Sequence, residues 1–157
     1  MIYVIYTDGA CSVSRRLGGY AAIAKFNGQQ IVLHGNKKNA TNNEMELLAV
    51  INILRVVNQF VSKNDIIEIH SDSAYVVNAI NQNWLCKWIN NSWMTKDNKP
   101  VKNVSLWRRL IDILSAYNDI NVKYSFIKVK GHSDSKLNNY VDRLAVKEVD
   151  LLKQLED

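Results

Sequence analysis

Two stretches of this chain share one grammar. Ile2-Tyr3-Val4-Ile5-Tyr6-Thr7-Asp8-Gly9 and Ile66-Ile67-Glu68-Ile69-His70-Ser71-Asp72-Ser73 are runs of β-branched and aromatic residues that stop at a carboxylate and a small residue. The first run has little polar alternation, the pattern of a strand covered on both faces and central in a sheet. A strand that meets Asp-Gly can simply turn there; the other possibility is that Asp8 is held at the end of the sheet for chemistry. If the two strands are parallel neighbours, Asp8 and Asp72 emerge side by side at the carboxyl edge, where open α/β sheets form their sites.

The sequence around these runs supports that pairing. Cys11 to Gly19 reads as a loop by its Ser and Gly content. Tyr20–Phe26 and Gln30–Gly35 read as strands joined by Asn27-Gly28, a strong two-residue hairpin signal. The first three strands are thus an antiparallel meander. Thr41 as N-cap with Glu44 three residues on is a capping box, opening a helix that runs to about Gln59. Ser62-Lys63-Asn64-Asp65 is a turn before the Ile66–Ser71 strand. Strand, helix and strand make a right-handed crossover, which sets the first and fourth strands parallel. Ser73–Asn81 reads as helix, followed by a segment dense in Trp and Asn (Trp84, Trp88, Trp93), a helix over Val101–Tyr117, and a strand over Asn121–Val129 with Val122, Tyr124 and Phe126 on one face. A last helix, Leu137–Leu155, carries Leu137, Val141, Leu144, Ala145, Val149 and Leu152 as its apolar stripe. This is an α/β arrangement, a five-stranded mixed sheet flanked by helices, expected as a single domain over 1–157.

Composition narrows the function classes. The net charge of +5 leans towards a polyanionic partner. The two cysteines, Cys11 and Cys86, have no metal-type spacing and read as free thiols in a reducing compartment. The first apolar run meets Asp8 too soon for a signal peptide or a membrane span. A cytoplasmic protein without a membrane partner is expected, and a monomer, because no apolar patch or heptad stands out.

Glu46 is the odd residue of the first helix, with Asn42, Asn43, Ala49, Val50 and Ile53 as its helical neighbours. Alone, it reads as a surface Glu favoured by the helix dipole. Asp142 alone reads as part of a solvated helix face. Counted with Asp8 and Asp72, they make a dense oxygen cluster whose like charges would raise one another's pKa unless cations are present. Oxygen donors without Cys or paired His suit Mg²⁺ or Mn²⁺. Two such ions, about 3.5–4 Å apart, would clamp the attacking and leaving oxygens of a phosphodiester displacement. His132, in the polar loop before the last helix, is either an exposed loop histidine or a proton carrier for that chemistry. His34 and His70 read as structural.

Tyr6 to Cys11, Gly18-Gly19-Tyr20, Thr41 to Leu47, Ser71-Asp72-Ser73, Lys99 to Asn103, Leu106-Trp107 and Val129 to His132, with Asn138 and Asp142, resemble in order and spacing ribonuclease H of the bacterial type 1 class. The resemblance implies the ribonuclease H-like fold and an endonuclease that cuts the RNA strand of RNA/DNA hybrids by a two-metal-ion mechanism, giving 5′-phosphate and 3′-hydroxyl ends. It implies Asp8, Glu46, Asp72 and Asp142 as ligands of two Mg²⁺ ions, with Mn²⁺ as a substitute, and His132 as a proton-transfer residue. It implies Asn42 and Asn43 as substrate contacts, and Thr41 and Asn103 as parts of a pocket for a DNA-strand phosphate. Ser14, Ala74 and Asn39 depart from the family's usual substrate-contacting residues. The tryptophan segment resembles the family's basic protrusion, with its rings expected to pack a helix rather than to stack on bases.

Overall fold

The computed structural model describes residues 1–130 and 135–157. Its elements are β1 (Ile2–Ser12), β2 (Leu17–Phe26), β3 (Gln29–Lys38), α1 (Asn42–Val57), β4 (Ile66–Ser71), α2 (Ala74–Asn81), α3 (Trp84–Asn90), α4 (Val104–Asp119), β5 (Lys123–Lys128) and α5 (Lys136–Glu156). The strands form one sheet in the order β3-β2-β1-β4-β5. β1, β2 and β3 pair antiparallel; β1 with β4 and β4 with β5 pair parallel. This is the mixed five-stranded sheet that the sequence predicts.

Side-chain alternation along β1 sorts the molecule into layers. Tyr3 and Ile5 join Ile67, Ile69 and Phe126 in a core closed by Leu47, Ile51 and Leu54 of α1 and Trp107 and Leu110 of α4. Tyr6 and Ala10 face the other way, against Val141 and Ala145 of α5, with Ala21 and Ile23 of β2 between. β1 and β2 are therefore covered on both faces, which is why β1 reads as a nearly continuous apolar run. The tryptophans pack as expected: Trp88 lies 6.1 Å from Trp84, 6.3 Å from Trp93 and 5.6 Å from Trp107 between ring centroids.

Several boundaries differ from the sequence reading. Asp8-Gly9 does not end β1, which continues to Ser12 along β2. The expected loop shrinks to a turn over 13–16, closed by Arg16 N donating to Ser12 O at 2.6 Å with Arg16 at φ 55°. Gly18 is in β2, paired with Cys11 and Lys37, and a Cβ there would lie 2.5 Å from Met45 Sδ, so the glycine serves helix packing, not loop flexibility. The Asn27-Gly28 hairpin forms, both residues with positive φ as its turn type demands. Thr41 caps α1, accepting from Glu44 N at 3.2 Å, but the Glu44 carboxylate reaches Lys37 Nζ at 2.9 Å. α4 begins at Val104, not Val101, because Asn103 takes the left-handed conformation as its N-cap.

Candidate active site

Parallel pairing of β1 with β4 ends at Thr7↔Ser71, so Asp8 and Asp72 follow side by side on adjacent strands. Glu46 arrives from the first turn and a half of α1. It gets there because Gly9 has no side chain: a Cβ at Gly9 would lie 2.5 Å from Glu46 N and 2.7 Å from Met45 C. The helix backbone thus rests on the strand, and Gly9 N donates to Glu46 Oε1. Ligand oxygens of Asp8, Glu46 and Asp72 all lie within 4.8 Å of one another. Asp142 of α5 stands outside that tight group but lines the same cleft, of about 340 Å³, with Asn42, Asn43, Ser73, Ala74 and Tyr75.

The electrostatics of this cluster are those of an unbalanced charge. Asp8 and Glu46 are buried, at 4% and 3% exposure. Burial, then the neighbouring Glu46 and Asp72 charges, push the Asp8 carboxyl well above the ordinary range, and hydrogen bonding with Glu46 and Asp142 adds to the shift. Burial and the Asp72 charge raise Glu46 too, partly offset by its bonds with Asp8, Gly9 N and Ser73. Among the described residues no Lys, Arg or His forms an ion pair with any of the three. Oxygen-only donors, converging at one point and lacking a protein cation, fit hard divalent cations such as Mg²⁺.

Known proteins bear on this geometry. The RNase H family model matches residues 2–150. The chain belongs to the RNase H family. Ribonuclease H of Caldicellulosiruptor saccharolyticus is 45% identical over 142 residues, spanning 90% of this chain and 92% of that one. Ribonuclease H of Clostridium botulinum is 41% identical over 150 residues, spanning 94% and 95%. Among solved structures, LC9-RNase H1, described as a type 1 RNase H with the type 2 active-site motif, superposes with a TM-score of 0.75 at 22% identity, over 95% of this chain and 72% of that one. LC11-RNase H1, solved in complex with an RNA/DNA hybrid, gives 0.67 at 18% identity over 96% and 98%.

Within this RNase H fold the other expected site residues are placed as follows. Asn42 and Asn43 form the exposed first turn of α1, at the mouth of the cleft, with Thr41 as the cap before them. Asn103 is not among the residues lining the cleft but reaches one of them, its Nδ2 donating to Tyr75 Oη at 3.3 Å. His132 lies outside the described residues. Sequence reasoning passed over three residues that shape the site. Gly9 lets α1 approach, and Ser73 both caps α2, accepting from Val76 N at 3.2 Å, and bonds Glu46. Tyr75 lines the cleft with its hydroxyl accepting from Trp107 Nε1 at 2.9 Å. The Asp-Gly and Asp-Ser pairs were visible signals for the first two; nothing in the sequence singles out Tyr75.

Proposed function

We propose that this chain is an endonuclease that hydrolyses the RNA strand of RNA/DNA hybrids, leaving 5′-phosphate and 3′-hydroxyl ends, with two Mg²⁺ ions or Mn²⁺ in their place. The observation that carries the reading is the convergence of Asp8, Glu46 and Asp72 to within 4.8 Å, with Asp142 beside them, in an open cleft of an RNase H family chain. Those four carboxylates would hold the cations. Divalent ions bound there supply a water of lowered pKa and offset charge on the phosphodiester.

The chain's own residues do the rest. Gly9 N and Ser73 fix the Glu46 carboxylate. Asn42 presents its side-chain amide to the minor groove, where a 2′-hydroxyl separates RNA from DNA, and Asn43 makes a further substrate contact. Thr41 and Asn103 contact a phosphate of the DNA strand. His132 moves a proton to the departing oxygen. Residues 1–157 act as one catalytic domain, as a cytoplasmic monomer. Among the described residues, no helix is long and apolar enough to cross a membrane.

The test is cleavage of one labelled RNA offered as RNA/DNA hybrid, RNA/RNA duplex and single strand, with Mg²⁺, with Mn²⁺ and with chelator. Metal-dependent internal cleavage of the hybrid alone is expected. Binding of the hybrid without cleavage under either metal would replace this reading with that of a binding module.

A further inference from the structure

The buried stripe of α5 is centred on Val141, Ala145 and Leu152. At about 100° per residue, Asp142 and Glu148 flank that stripe on opposite sides, about 120° apart around the helix. Asp142 leans to the cleft, within hydrogen-bonding reach of Asp8. Glu148 leans the other way, onto β3. Its Oε1 meets His34 Nδ1 at 2.5 Å, and its Oε2 accepts from Asn36 Nδ2 at 2.6 Å. Glu148 is 6% exposed, so both oxygens of a buried carboxylate are held by partners on one strand.

Between these two flanks α5 rests on Gly19 of β2. A Cβ at Gly19 would press on the Ala145 carbonyl and lie 2.8 Å from Glu148 Cβ. The glycine contact sets how closely the helix approaches; Val141 and Ala145 against Ala21 and Ile23, and Val149 and Leu152 against Leu17, hold its apolar face, and the Glu148 contacts add the directional, hydrogen-bonded key at the rim opposite Asp142. A roll of about 10° moves a carboxylate about 6 Å from the axis by about 1 Å. A displacement of that size is enough to cost about two orders of magnitude in oriented chemistry.

We propose that Glu148 is a positioning residue for the carboxylate site: its clamp on His34 and Asn36 sets the roll of α5 and so holds Asp142 against Asp8. This rests on the reading of Asp142 as one of the cation-holding carboxylates. Nothing in the reaction itself touches Glu148; it acts through the helix.

The experiment is a Mg²⁺ titration of the full chain followed by amide NMR shifts, beside thermal unfolding. The variants are Glu148→Ala, Glu148→Gln and Asn36→Ala, with Asp8→Asn as control. Glu148→Ala is expected to weaken Mg²⁺ binding about tenfold, the size of loss usual when a ligand's support is removed. Glu148→Gln keeps an oxygen for Asn36 and should recover most of the affinity, with Asn36→Ala between the two. Lower thermal stability with wild-type Mg²⁺ affinity in these variants would overturn the proposal, since it leaves Glu148 holding the helix down and nothing more. If Glu148→Ala does not fold, Asn36→Ala, on the exposed edge strand, decides the matter alone. Wild-type Mg²⁺ affinity in Asp8→Asn would instead strike at the proposed function. Loss of affinity in Asp8→Asn with none in the Glu148 and Asn36 variants would sink the positioning role and leave the function standing.

Discussion

Replacing Asp8 by Asn should make the cation-free protein more stable while ending cleavage. The ligand oxygens of Asp8, Glu46 and Asp72 lie within 4.8 Å of one another, and two of these groups are almost fully buried. Two unit negative charges at that separation repel by about 3–4 kcal/mol at an effective dielectric constant of about 20. The folded protein escapes part of this by holding protons, which is what the raised Asp8 and Glu46 carboxyls express. Keeping a proton at pH 7 on a carboxyl that ionises near 3.8 when unfolded costs at most about 4 kcal/mol. A neutral, near-isosteric Asn avoids that cost, so a gain of about 2–4 kcal/mol at pH 7 is expected. The sign also dictates a pH dependence. Because burial and like charge raise these pKa values on folding, the native state holds more protons than the unfolded chain above about pH 4. Wild-type stability is then greatest in mild acid and falls as pH rises through neutrality. The assay is urea unfolding by circular dichroism in chelator at pH 4.5, 7 and 9. The gain from Asp8→Asn should be small at pH 4.5 and grow with pH. A variant no more stable than wild type at pH 7 would refute the reasoning, since it would mean the three carboxylates do not strain one another.

Asp72→Asn should abolish hybrid cleavage in a gel assay while hybrid binding largely survives; wild-type turnover would remove Asp72 from the chemistry. Gly9→Ala forces a methyl to within 2.5 Å of the Glu46 backbone nitrogen, which cannot swing aside. A loss of about 1–3 kcal/mol in urea unfolding, as for other overpacked sites, and a fall in cleavage with Glu46 displaced are expected; unchanged stability would show that α1 does not rest on that glycine. His132→Ala should slow single-turnover cleavage without ending it, and an unchanged rate would leave His132 outside the reaction.

The sheet was legible because its central strands carry their environment in their composition. Tyr3, Ile5, Ile67 and Ile69 are apolar because they point into the core, and Thr41 and Asn27-Gly28 are local chemistry that needs no tertiary partner. The strand boundaries that moved are those where a tertiary contact overrides local composition. Gly18 and Gly19 look like loop residues, yet they are strand residues thinned to admit Met45 and α5. Asp8-Gly9 looks like a turn, yet the ladder to β2 runs through it. For the same reason Glu46 alone reads as a surface residue, and its burial emerges only when the strand beneath it is known. Glu148 gave no signal at all: a carboxylate at the rim of an apolar stripe looks solvated until β3 supplies His34 and Asn36.

The strand order leaves β3 and β5 at the two margins of the sheet. Each ends in lysine, Lys37 and Lys38 on β3 and Lys123 and Lys128 on β5, all exposed. An approaching copy that tried to extend the sheet would have to bring its own lysines against these, and on β3 would meet Lys37 and Lys38 already paired with Glu44 and Glu156. Exposed lysine at a sheet margin is the pattern that discourages edge-to-edge pairing, where unpaired backbone would otherwise invite another strand. Neutralising Lys123 and Lys128 together would cost little in folding and much in solubility.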